Sequence, residues 1–126
     1  MSVTDPGPQL LPASECRRVG EVLARIGDKW TMQVIAELGD GPVRYGELKR
    51  SIKGVSQRML TLTLKNLERD GLVSRTVTPS VPPRVDYALT DLGRSMLAPV
   101  QALGDWAAAH IPQMDAARRR YDAGEN

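Results

Sequence analysis

The chain has 126 residues, 17 of them Lys or Arg and 15 Asp or Glu, for a formal charge of +2. A chain this short supports one hydrophobic core, and the near-cancellation of charge excludes a polycationic chromatin-type tail. One cysteine and one histidine exclude an internal disulfide framework and fall short of a zinc ligand set, and no uncharged apolar run approaches the ~20 residues of a membrane span.

Residues 1–13 hold three prolines and one glycine among polar residues and read as a mobile arm. They lack the basic start and apolar stretch of a secretory signal, so a cytoplasmic protein is expected. Ser14 is placed to cap a first helix whose apolar face is Val19, Val22, Leu23 and Ile26, stopped by Gly27. A second helix spans Trp30 to Leu38 and ends at the Gly39-Asp40-Gly41-Pro42 turn. A third, from Tyr45 to Ile52, buries Leu48 and Ile52, and Gly54 closes it.

Ser56 then caps a fourth helix from Gln57 to Asp70, with Gly71 just past its end. Leu60, Leu64 and Leu67 recur at i, i+4 and i+7 and must face a core, leaving Gln57, Arg58, Thr61, Leu62, Lys65 and Arg69 outside. The period changes after Gly71. Residues 72–77 and 85–89 alternate and are β-rich, and the proline-stiffened stretch 78–84 joins them as a hairpin. Thr90 caps a long helix over 91–110, kinked at Pro99 and ended by Pro112, and a short helix follows from Met114 to Tyr121.

The expected architecture is mainly α with a small β-hairpin, an α+β winged helix-turn-helix with N- and C-terminal dimerisation helices. Its segments are an arm (1–13), the winged-helix domain (14–112, including the helix 91–110), and a short helix and tail (113–126).

The charge is unevenly placed. Segment 44–84 carries nine basic and three acidic residues, a balance of +6, and the rest of the chain sums to −4. Such a surface attracts phosphates by Coulomb force and counterion release, although a basic segment alone is as readily a solvated helix face. Here the cations follow a short helix, a turn and a longer capped helix, the order of a helix-turn-helix whose second helix enters the major groove N-terminus first. Gln57, Arg58 and Thr61 lie in its first turns, and Gln and Arg suit bidentate contacts with adenine and guanine edges. Ser56 can meet a phosphate at the helix start. Arg44, Leu62, Lys65 and, on the hairpin loop, Arg84 complete the candidate DNA-contact set.

The sequence resembles the HxlR-type winged-helix transcriptional regulators of bacteria, relatives of the MarR group. The residues carrying the resemblance are Ile26-Gly27-Asp28-Lys29-Trp30-Thr31, Arg44-Tyr45-Gly46-Glu47-Leu48 and Val55-Ser56-Gln57-Arg58-Met59-Leu60-Thr61. Asp70-Gly71-Leu72-Val73 follows, and the run Val81-Pro82-Pro83-Arg84-Val85-Asp86-Tyr87-Ala88-Leu89-Thr90-Asp91-Leu92-Gly93 is the most specific. The resemblance implies a homodimer on a pseudo-palindromic double-stranded DNA operator, with the fourth helix in the major groove and the wing on the flanking groove. A sequence-specific regulator is therefore expected, with a repressor as the reading of its sign. Three positions depart from the family's pattern, one being Arg17, which follows Cys16 where Pro is common. Tyr45 stands where Phe is usual, adding a hydroxyl that needs a partner or solvent, and Ser80 stands where an acidic residue is common.

A dimer is expected on physical grounds too, since the helix 91–110 holds more apolar surface than one small domain needs to bury. Val19, Leu23, Leu97, Val100, Leu103 and Trp106 are the expected seam. Cys16, near the start of the first helix, matches a cysteine that in some HxlR-type proteins senses oxidants or electrophiles. Arg17 and Arg18 suit that role and Glu15 works against it, so a sensor and an inert interfacial thiol both stand as readings. A small-molecule effector between the first and long helices, near Trp30, Trp106 or Tyr121, is a further reading. No cofactor or metal is expected. An enzyme is not expected, because no signature surrounds Cys16 or His110. The rival to DNA binding is a winged-helix protein-interaction module, which should present more apolar residues on the fourth helix than Leu62.

Overall fold

The computed structural model describes residues 13–124, so the expected arm, apart from Ala13, lies outside the described residues. The first helix already includes Ala13, so Ser14 is its second residue and not the cap before it. The elements are α1 (Ala13–Ile26), α2 (Lys29–Glu37), a 3-10 turn (Leu38–Asp40), β1 (Val43–Arg44), α3 (Tyr45–Ser51), α4 (Gln57–Arg69), β2 (Val73–Thr78), β3 (Arg84–Leu89), α5 (Asp91–Arg94) and α6 (Leu97–Asp122).

The caps explain where the helices begin and end. Asp28 accepts hydrogen bonds from the backbone N–H groups of Trp30 and Thr31, starting α2. Ser56 accepts from Met59 N–H at 3.0 Å and starts α4. At the far end of α4, Leu72 N–H bonds Leu67 C=O and Gly71 N–H bonds Glu68 C=O. That Schellman closure needs the left-handed φ of +79° at Gly71, which glycine adopts without steric cost.

The core lies where α2, α3 and α4 meet the base of the sheet. Val34, Ile35, Leu38, Leu48, Leu60 and Leu67 are fully buried, with Ile52, Val55, Leu64, Val73, Tyr87 and Leu89 around them. The fourth-helix stripe expected from the sequence therefore faces inward as a unit.

Three features differ from the sequence reading. First, the hairpin is a three-stranded antiparallel sheet of order β1-β3-β2, in which Val43 opposes Tyr87 and Arg44 opposes Asp86. Two residues are too few for alternation to reveal a strand.

Second, the long C-terminal helix does not start at Asp91. α5 breaks after Arg94 and α6 begins at Leu97, so Pro99 occupies the first turn of α6, where its missing N–H has no intrahelical acceptor to serve. Thr90 holds α5 in place: its hydroxyl donates to Gly71 C=O and accepts from Gly93 N–H. Gly93 packs so closely on Leu72 that a Cβ there would lie 2.0 Å from the Leu72 carbonyl oxygen.

Third, Pro112 does not end α6, which runs on to Asp122, so there is no separate helix over 114–121. Proline removes one hydrogen bond, to Ala108 C=O, and Ala108 is exposed, so water can serve that carbonyl.

Candidate nucleic-acid interface

The outer face of α4 follows from its inner one. With Leu60, Leu64 and Leu67 buried, residues one position along the helix must face out. Gln57, Arg58, Thr61, Leu62 and Lys65 together line one shallow surface hollow of about 610 Å³. All five are expected site residues, and Ser56, also expected, caps the same helix end. Gln57, Arg58, Leu62 and Lys65 are exposed, while Thr61 is half-buried.

Tyr45 accounts for the position of Thr61. It opens α3, and its ring packs on the core. Its hydroxyl donates to Gln57 C=O at 3.2 Å and lies 3.1 Å from Thr61 Oγ1. The extra hydroxyl at this position is thus partnered, and it ties α3 to the first turns of α4.

A second cationic group gathers at the root of the wing. Arg44 on β1, Arg75 on β2 and Arg84 on β3 line a cleft of about 800 Å³, shared with Tyr45, Thr78 and Ser80. Arg84 Nε lies 3.0 Å from Asp86 Oδ2, and Arg44 stands across the sheet from the same Asp86. One carboxylate against three guanidinium groups leaves the cleft positive. Arg75 is the residue that sequence reasoning missed. It shares parity on β2 with buried Val73, so alternation assigns it to the core face. Arg75 does lie directly opposite core residue Tyr87, but β2 is an outer strand of the sheet, and Arg75 is exposed at that edge.

The expected dimer residues divide. Val19 and Leu23 on α1 and Leu103 and Trp106 on α6 are exposed, Leu23 at 61% and Trp106 at 55%. Val100 is buried in the chain's own core and Leu97 packs against that core, because α6 uses its first turns to cover α2. Those two side chains are therefore already engaged inside the monomer. Along α1 runs a groove of about 790 Å³ walled by Val19, Val22, Leu23, Ile26, Leu72, Leu92 and Met96. It is not lined by Trp30, Trp106 or Tyr121, the aromatics expected beside an effector. Cys16 is exposed near the start of α1. No helix among the described residues is long and apolar enough to cross a membrane.

Helix, turn, capped outward-facing helix and basic wing form the arrangement of a winged-helix regulator, and residues 25–115 match the family model of the HxlR-like helix-turn-helix. The chain belongs to the HxlR-like family. Among its relatives, an uncharacterized HTH-type transcriptional regulator of Methanothermobacter thermautotrophicus is 48% identical over 81 residues, which is 64% of this chain and 62% of that protein's length. Among solved structures, the transcriptional regulator ytfH from Salmonella typhimurium is 40% identical with a TM-score of 0.75, covering 81% of this chain and 91% of that one. The redox regulator HypR in its reduced form is 36% identical with a TM-score of 0.73, covering 79% and 98%. The HxlR-like chain is thus a helix-turn-helix transcriptional regulator by family, with a winged-helix fold.

Proposed function

We propose that this HxlR-like protein is a sequence-specific DNA-binding regulator that acts as a homodimer on a pseudo-palindromic operator, in the sense of a repressor. The observation that carries this reading is the single stripe of Gln57, Arg58, Thr61, Leu62 and Lys65 along the first nine residues of α4, outside an inner face that is buried. A helix so held can enter a major groove without disturbing the core. Arg58 is suited to a guanine edge, Gln57 to an adenine edge, and Lys65 to a phosphate. Arg44, Arg75 and Arg84 are suited to the backbone or minor groove beside it. Two such helices about a two-fold axis address half-sites about 34–36 Å apart. The exposed apolar side chains of α1 and α6, led by Leu23, Leu103 and Trp106, supply the surface for that axis.

The test is binding to duplexes selected from a random library and to unselected duplexes across a salt series. Arg58→Ala should cost about 1–3 kcal/mol of discrimination between the two. Arg84→Ala should weaken both about equally and reduce the salt slope. An unchanged operator-to-random ratio in Arg58→Ala would contradict the entry of α4 into the groove by its N-terminal turns. The rival protein-docking reading is disfavoured because the polar and cationic residues on this face outnumber exposed Leu62 and Met59.

Regulation through Cys16 is supported by its exposure on α1 and by the description of HypR as a redox regulator. Among the described residues it is the one cysteine, so a disulfide there is to a second copy or to a small thiol, and an electrophile leaves an adduct. Diamide should change operator affinity, and Cys16→Ser should remove that response.

A further inference from the structure

The hydroxyl of Tyr45 has one hydrogen and two neighbours. Gln57 C=O, at 3.2 Å, can only accept, whereas Thr61 Oγ1, at 3.1 Å, can donate or accept. Both contacts are made together in one polarity: Tyr45 donates to Gln57 C=O, and the Thr61 hydroxyl donates back to Tyr45 Oη. The hydrogen of Thr61 is then committed toward α3 and is withdrawn from any base edge. Yet Thr61 still lines the exposed hollow with Gln57, Arg58, Leu62 and Lys65. With its oxygen turned to Tyr45, its remaining side-chain group is the γ-methyl.

From this, we propose that Tyr45 is a positioning residue that converts Thr61 from a hydrogen-bonding reader into a methyl reader, selecting thymine through its C5-methyl at one step of each half-site. A threonine free to rotate can present its hydroxyl to purine N7, guanine O6 or thymine O4, and so discriminates poorly. A threonine held by Tyr45 presents an apolar group, whose matching partner in the major groove is the thymine methyl. The same hydrogen bonds fix the first turns of α4 against α3, so that methyl has one position relative to Gln57 and Arg58. A phenylalanine at position 45 would fill the same space and leave the Thr61 rotor free.

This inference rests on the reading of α4 as a DNA-recognition helix, and the experiment separates the two. A site is selected from a random duplex library with the full-length protein. Each thymidine in that site is then replaced singly by deoxyuridine, which removes only the methyl. The wild type should lose about fourfold in affinity at one thymine per half-site, the worth of one buried methyl. Thr61→Ser, which keeps the hydroxyl and removes the methyl, should abolish that penalty at that position alone. Thr61→Val, which keeps a methyl, should retain it. Tyr45→Phe should reduce the penalty and widen the bases accepted at that step, with the remaining positions unchanged.

Failure to select any preferred sequence would overturn the DNA-recognition reading and this inference with it. A preferred site with no uridine penalty, or one that persists in Thr61→Ser, would overturn the methyl-reading role and leave DNA recognition intact. A penalty and base preference unchanged in Tyr45→Phe would overturn the positioning role of Tyr45.

Discussion

α1 and α4 are both amphipathic, of nearly equal length at 14 and 13 residues, yet they are treated oppositely by the fold. α4 buries its leucine stripe against α2 and β2 and shows solvent a polar, cationic face. α1 buries Ile26 but leaves Val19, Val22 and Leu23 exposed. An amphipathic pattern states that a helix has an apolar face needing cover. It does not state whether the same chain supplies that cover. α4 is short-looped on both sides into the middle of the domain, whereas α1 meets it mainly at its C-terminal end, where Arg25 bonds Asp70 at 3.0 Å.

The contrast can be broken or sharpened by substitution. Leu64→Ala should have the largest effect, a loss of about 2–5 kcal/mol in urea or thermal unfolding, because a fully enclosed side chain leaves a cavity. Leu23→Lys should leave the monomer folded but weaken self-association by about 1.5–3 kcal/mol, the worth of a buried leucine. Sedimentation over a dilution series reads this directly. If wild type and variant dissociate at the same concentration, α1 is not part of a dimer seam and the contrast with α4 loses its explanation. Ser56→Ala should cost about 1 kcal/mol of stability by removing the Met59 N–H cap, and DNA affinity should fall with it. Arg25→Ala should be the mildest, less than about 1 kcal/mol and smaller still in high salt, since both partners of that ion pair are more than a third exposed.

Much of the fold and of the candidate DNA-contact surface is legible in the chain itself. The Leu60, Leu64, Leu67 stripe, the Ser56 cap, the Gly71 stop and the period change to β2 are local signals, and each lies where expected. The cationic segment 44–84 is legible as well, because charge counting by position needs no geometry. The features that mislead depend on neighbours. Pro112 looks like a terminator in isolation, but one lost hydrogen bond at an exposed turn does not outweigh the alanine-rich helix around it. Asp91 looks like the start of a long helix, but α5, with Gly93 packed closely on Leu72, stops after Arg94, and α6 begins anew at Leu97. Val100 and Leu97 belong to an apolar run that gives no sign of which residues face inward, and Arg75 sits on an outer strand of the sheet, a place that alternation along the chain does not reveal.

The sequence by itself determined α2 to α4, the Ser56 and Thr90 caps, the two wing strands and the segment that carries positive charge, since these arise from interactions within a few residues. Only the tertiary structure decided three other things. It brought Arg44, Arg75 and Arg84 into one cleft, because strand register joins residues about thirty to forty positions apart. It separated the apolar residues used inside the monomer from those left for a partner. And it turned the Tyr45 hydroxyl, an oddity in the sequence, into a contact across α3 and α4 that holds Thr61 in the second turn of α4.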